Sequence, residues 1–596
     1  MLTDLPHELI EQVLLGCEGR QILLCKQVCK ILHHVITNSV LLNYQIDLFV
    51  AGFDDTRLSP SYTTQARHQF LSAARDVWRG NRGVALVETL HVANLEYWPI
   101  RDSVLLRKRS NRADANAEDP SLRDSITFDV SQVRTEVDAD SALAHWQIRL
   151  HKETGSIACI DATQDLLIVR FHRPTESVLT DAPHEQWYCL AIYSLSTGEP
   201  HHRASQTTIE FRMSQRVIKN PHYTRVHVLD NVLAVNMASG FQLFTETTFF
   251  DWTTGEKKAA FCSPGASARA WGHPAALISE RCFLQSCYSS AERRPAIEVY
   301  VLDDEAPFTS NSDTRDAKHV ATYWLPRVVN GDVRLILNVT SRQQVSPNEP
   351  DSGFLLSSAC ARMLHVQVTG VWFTSPFQCA FFTPVYQFME EANRFMAMTA
   401  AQRRTSLPKT KPWATWGNGT TRWLEKDGPP WQDDAKSSLR GSGSRYVFPN
   451  YLLDFSPIDV AREVHRHRQT RSSKANVFAS EAVGWTTHCH AASKDNISGA
   501  DMFDEDIVSS LPYREKEIGE LPGFELGSDI MLVNDKIVTI QGGVLDTIKI
   551  YKPGPIRPRP EAPDGVMDEL TAAMLRVAIG GRRPVFTTTT MHADAL

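Results

Sequence analysis

Apolar residues near the start of the chain fall at Leu5, Leu9, Ile10, Val13 and Leu14, intervals that trace a face of a 3.6-residue helix. Pro6 fits such a helix only in its first turn, where a missing N–H costs nothing. Asp4 stands at or beside the cap, and Glu8 places negative charge near the positive end of the helix dipole. A second helical pattern runs from about Gln21, with Ile22, Leu23, Cys25, Val28, Cys29, Leu32, Val35 and Ile36 as its stripe; Gly16 and Gly19 bracket the break. After a polar break at Ser59–Pro60, residues Ala66, Phe70, Leu71, Ala74, Val77 and Trp78 predict an amphipathic helix over 63–79. This helix either couples the first module to the body at a fixed angle or belongs to the core of the next domain. A helical hairpin of about fifty residues buries little surface alone, so the first module needs the next domain or an outside partner.

From about residue 145 the period changes to short β-type runs separated by turn chemistry. One unit holds Asp165–Phe171, then Leu190–Leu195, then Thr197-Gly198-Glu199. The next holds Asp230–Asn236, then Thr248–Trp252, then Thr254-Gly255-Glu256, so the two Thr-Gly-Glu turns lie 57 residues apart. A third holds Arg281–Gln285 and Ala296–Asp304, and a late one Asn534–Ile540 and Thr547–Pro553. Repeats of roughly 40–50 residues with several strands each suggest the blades of a propeller, which must stack around an axis to cover both faces. An irregular β-sandwich or two smaller β domains is the competing reading. In between, Met363–Thr369 alternates like a half-buried strand, and Phe388, Ala392, Phe395, Met396 and Thr399 share a helical face. Four of the thirteen tryptophans fall in 413–431; they form either core between blades or an aromatic recognition surface.

The first 50 residues thus read as a helical domain, 51–144 as a helical linker and loop region, 145–555 as a β-propeller-like body with surface insertions, and 556–596 as a mobile tail. The fold class is multidomain α + β: a small helical module followed by a mainly-β body, a degenerate β-propeller.

The composition changes this picture only by exclusion. A net charge of −7 gives no global basic field for nucleic acid. No apolar run reaches the ~18–20 residues of a membrane span, and the N-terminus lacks the basic and apolar regions of a secretory signal. Eleven cysteines without framework spacing suit reduced thiols, hence cytoplasm or nucleus. The basic cluster Arg107-Lys108-Arg109 in the polar stretch 107–124 is either a solvated loop face or a nuclear-import signal. The acidic run Asp501–Asp506 lacks the alternation and central glycine of a calcium loop and reads as a solvated loop.

The opening Leu5-Pro6-x-Glu8-Leu9-Ile10-x-x-Val13-Leu14, then Ile22-x-x-Cys25-x-x-Val28-Cys29-Lys30, then Ile36 and Asn38-Ser39, resembles an F-box over residues 2 to about 48. Two positions depart from the family pattern: Gln21 replaces an acidic residue before the second helix, and Leu41-Leu42-Asn43-Tyr44 stands where a tryptophan is common. Together with blocks at 413–423, 443–447 and 452–457, the chain is similar to fungal F-box proteins with β-rich C-terminal regions. The resemblance implies docking on the Skp adaptor and, through it, a cullin, with the β body holding a target protein for ubiquitin transfer. It assigns adaptor contact to Leu5, Pro6, Leu9, Ile10, Val13, Leu14, Ile22, Cys25, Val28 and Ile36. Two alternatives stay open: an adaptor-bound structural complex outside ubiquitination, or a propeller ligand-binding protein or enzyme.

No covalent chemistry is expected, and neither a cofactor nor a metal. There is no Gly-x-x-x-x-Gly-Lys loop, His-Glu-x-x-His or Gly-x-Ser-x-Gly elbow. His488 and His490 would share one face of a strand, but no second pair of ligands stands out for zinc. Cys25 and Cys29 fall on one helical face, a spacing that suits burial rather than redox work.

Overall fold

The structure is a computed structural model. It describes residues between 5 and 553; the longer interruptions fall at 94–102, 109–124, 134–142, 174–186, 213–220, 264–274, 303–314, 425–440, 461–476, 489–502 and 518–528, with shorter ones in other connections. The tail at 556–596 and His490 lie outside the described residues.

Four helices open the chain: α1 (His7–Leu15), α2 (Gly19–Cys25), α3 (Lys30–Asn38) and α4 (Val40–Ala51). Pro6 precedes the first helical residue, and its carbonyl accepts the N–H groups of Leu9 and Ile10 at 3.0 and 3.1 Å. Glu18 and Gln21 cap α2 reciprocally, a capping box that satisfies two otherwise orphaned donors. The stripe expected as one helix from Gln21 to Ile36 is two helices, because Cys29 is fully extended (φ −157, ψ 163) at the cap of α3. Ser39 caps α4 by accepting the Leu42 N–H at 3.1 Å and donates to Glu11 of α1 at 2.5 Å.

The body is β-rich, with seven blades in a propeller arrangement. Blade 2 shows the plan, with Ser156–Asp161, Leu166–Arg173, Trp187–Ser194 and Thr208–Arg212 as four antiparallel neighbours. From this blade onward, the first strand sits against the first strand of the next: Ser156–Asp161 meets Pro221–Leu229, which meets Ala276–Ser279, which meets Asp332–Val339. A backbone contact recurs from blade to blade. The residue ending or following the third strand donates to the turn between the first two: Leu195 to Asp165 at 2.8 Å, Trp252 to Asn231 at 3.1 Å, Leu302 to Arg281 at 2.8 Å. Val133 donates to Ser103 in the same way at 2.7 Å, which gives Val104–Lys108, Ser125–Val133 and Leu143–His151 the second, third and fourth places of blade 1.

The two Thr-Gly-Glu turns occupy equivalent positions in blades 2 and 3. Gly198 and Gly255 both have φ +76, the left-handed region where a Cβ is strained. Their N–H groups donate to Ser194 and Asp251 at 2.8 and 2.7 Å.

Blade 7 closes the ring. Asp529–Val533, Lys536–Gln541 and Leu545–Pro553 are completed on the outside by Val84–Ala93, paired from Val84↔Pro553 to Ala93↔Leu545. Joining an early strand to the last ones leaves neither end of the ring as an open edge. The strands of the body therefore begin at Val84, within the stretch read as linker and loop, and Arg107 and Lys108 lie on a strand. The period-2 signal of Ser125–Val133 is present in the sequence, but the flanking charged stretches mask it.

Candidate docking surface

In the helical module the core is made by Ile10, Leu14, Ile22, Leu23, Leu32, Val35, Ile36, Leu42 and Ile46. Leu9 and Val13 of α1 point outward and are exposed, as are Leu5 ahead of the helix and Leu24, Val28, Ile31, Val40, Leu41 and Phe49. Val28, in the turn between α2 and α3, is 72% exposed. Nine of the thirteen large hydrophobic residues exposed among the described residues thus lie between positions 5 and 49. A module this small gains little from covering its own surface, and clustered exposed apolar residues mark interaction sites.

The ten residues assigned to adaptor contact divide accordingly. Leu5, Pro6, Leu9, Val13 and Val28 are exposed, Cys25 is half-buried, and Ile10, Leu14, Ile22 and Ile36 lie in the module's own core. The last four are enclosed by the module's own helices, whose packing they hold. The motif does not single out Leu24, Ile31, Val40, Leu41 and Phe49, which the structure adds to the exposed set. A signal for two faces exists in α1. At 100° per residue, Leu9, Val13, Ile10 and Leu14 spread over about 140°, whereas one buried stripe needs about 100°.

Other candidates resolve into structure. Trp413, Trp416 and Trp423 are buried in the core that also holds Phe381, Phe388 and Phe395, and the Trp416 indole donates to the Trp324 carbonyl at 2.9 Å. These three tryptophans are core, and Trp431 lies outside the described residues. In the described part of the acidic run, Phe503 is buried beside Trp423, ring centroids 5.5 Å apart, while Asp504 stays exposed opposite Arg327 at 3.8 Å and Glu505 pairs with Arg294. His488 pairs with Glu515 at 3.0 Å and stacks on Tyr513 at 4.5 Å. Among the described residues no group of three or more His, Cys, Asp or Glu side chains is placed to hold a metal. Cys25 packs beside Cys17 against the module core, and burial, with the neighbouring Cys17, pushes its thiol pKa up.

No described helix is long and apolar enough to cross a membrane. No family model matches the sequence, and no curated protein does. Among solved structures, the chain is similar to extracellular domains 1–2 of Drosophila Semaphorin 1b, at 8% identity and a TM-score of 0.26, covering 79% of this chain and 88% of that one.

Proposed function

We propose that the chain is the substrate-recognition subunit of a Skp–cullin–F-box ubiquitin ligase. The helical module docks on the Skp adaptor, and the propeller holds a target protein. The observation that carries this reading is the concentration of exposed apolar side chains on the same helices whose sequence resembles an F-box. Leu5, Leu9, Val13 and Val28 supply the contact, and Ile10, Leu14, Ile22 and Ile36 hold the helices that present them. The chain performs no bond-making step. Its contribution is proximity: a tethered target meets the ubiquitin carrier at a raised effective concentration. The cysteines whose side chains are described, Cys17, Cys25, Cys29, Cys159, Cys189, Cys282, Cys287 and Cys379, are free thiols, which supports a cytoplasmic or nuclear setting.

The test is capture of the full-length chain by purified Skp adaptor, beside a Leu9→Asp, Val28→Asp variant. Truncation is a poor control, because Phe53–Leu58 pairs with the body. Capture of the wild type and loss in the variant supports the assignment. Equal capture of both overturns the docking face, and no capture of either overturns the reading. Co-purification with a cullin then separates a ligase subunit from an adaptor-bound structural complex.

A further inference from the structure

An insertion separates the last two strands of blade 5, Ser375–Pro384 and Arg422–Trp423. Within it, the helix Ala400–Thr405 ends at Ser406, and Leu407 and Pro408 lead on into Lys409–Lys411, the outermost strand of blade 4. The helix is capped at its start by a reciprocal pair, Thr399 with Gln402. It ends where it does because Pro408 disfavours helical backbone at Leu407; Ser406 is already extended, at φ −66 and ψ 127.

The run Arg403-Arg404-Thr405-Ser406-Leu407 combines three features that packing does not explain. Leu407 is 83% exposed, the largest value for a large hydrophobic side chain among the described residues. Arg404 is exposed and pairs with no described group. The half-exposed Ser406 hydroxyl makes no hydrogen bond among the described residues. One exposed leucine alone means little. Here it directly follows a free hydroxyl, with guanidinium groups two and three positions before that hydroxyl. An enzyme groove can read such a run: carboxylates take the arginines, and an apolar pocket takes the leucine. Serine kinases select their substrates by charge patterns of this kind.

We propose that Ser406 is a phosphorylation site for an arginine-directed serine kinase. Its Oγ attacks the γ-phosphorus of ATP. The Oγ–P bond forms, the bond to the oxygen bridging the β- and γ-phosphates breaks, ADP leaves, and the hydroxyl proton passes to a carboxylate of the kinase. Ser406 already has the extended backbone that a groove accepts. Arg403 does not present itself in the same way: it is 8% exposed, in the last turn of the helix. Engagement by the kinase therefore requires that turn to open. A helix of six residues is far below the length that is stable alone, and surface ends of this kind open at little cost. The assignment does not depend on the proposed docking function.

The experiment incubates the full-length chain with magnesium, ATP and the catalytic subunit of cyclic-AMP-dependent protein kinase as the arginine-directed probe, and locates phosphate by mass spectrometry. A peptide of residues 399–411 is run beside it. The full chain is expected to take up phosphate at Ser406, more slowly than the peptide because the helix must first open. Ser406→Ala should remove that phosphate and leave any other in place. Arg404→Ala, a surface change, should keep the circular dichroism of the wild type and slow uptake at Ser406 about tenfold or more, the worth of a hydrogen bond to a charged group. Uptake by the peptide but not at Ser406 of the folded chain overturns the site, as does uptake by neither. Uptake at Ser406 that is indifferent to Arg404→Ala overturns the arginine-directed recognition.

Discussion

Leu9 and Ile10 are adjacent on α1 and face opposite environments: Leu9 is 50% exposed, while Ile10 is fully buried against Leu14, Ile22 and Leu32. Successive residues on a helix are turned by 100°, so one side chain builds the module while its neighbour stays at the surface. Ile10→Ala should cost about 2–5 kcal/mol of module stability, as a large-to-small core change does. Leu9→Ala should stay within about 0.5 kcal/mol, as surface changes do, yet weaken adaptor capture. Thermal melts and capture assays on the two variants check the split. Equal destabilisation by both would mean that α1 is packed differently.

A second expectation concerns blade 6. Asp454 is fully buried and takes two hydrogen bonds from Arg514, at 2.6 and 3.1 Å, with the Arg445 guanidinium at 3.5 Å. The pair sits on neighbouring strands, Tyr451–Asp454 and Tyr513–Glu517, in register opposite one another. Removing one partner of a buried pair leaves an uncompensated charge and costs about 3–5 kcal/mol. Asp454→Ala should therefore lower the stability of the propeller by that amount, read as a lower denaturant midpoint with little change in slope. A loss below about 1 kcal/mol would show that Arg514 finds another partner or reaches water.

The legibility of each strand in the sequence depends on the surface it buries. The second strands of blades 2 and 3 are enclosed on both faces, so they appear as apolar runs: Leu166, Leu167, Ile168 and Val169 are all buried, as are Val232 through Val235. Two other strands give no such signal. Ser156–Asp161 is half-buried over its first residues, and Arg422–Trp423 is two residues long. Ring closure by Val84–Ala93 was illegible because strand pairing over some 460 positions leaves no local mark. The exposed apolar face of the helical module was half legible: residue types placed apolar positions on α1, but only the fold separates Leu9 from Ile10.

Ring closure gives a third expectation. Ile550, fully buried on the last strand, and Ile548 pack with Met531, Val538 and Leu105 of blade 1, with Leu90 of the closing strand against them. Ile550→Ala should cost about 2–5 kcal/mol, and the loss should spread through the ring rather than remain local. Unfolding followed by near-UV signal and by a dye on blade 3 should then coincide at a lowered midpoint. Separate transitions would indicate that blades 7 and 1 open independently of the others.

The last expectation is a pH dependence at the edge of blade 4. Glu391, only 5% exposed on the Tyr386–Met396 helix, is met by Lys411 and Lys409 of the outermost strand and by Arg394, at 2.7–3.0 Å. Burial alone would raise its carboxyl; the hydrogen bonds from Lys411 and Lys409 and the charges of Lys411 and Arg394 override it and hold the pKa at about 2. A carboxyl depressed in the folded state contributes stability that is complete above its unfolded pKa, about 4.3, and is lost as pH falls through the folded value. The contribution, on the order of 2–3 kcal/mol, should therefore decline between about pH 4 and pH 2. Glu391→Gln should lower stability at pH 7 and flatten this part of the profile, so that wild type and variant converge near pH 2. Parallel profiles for the two proteins over that window would mean that the lysines hold the helix without help from the Glu391 charge.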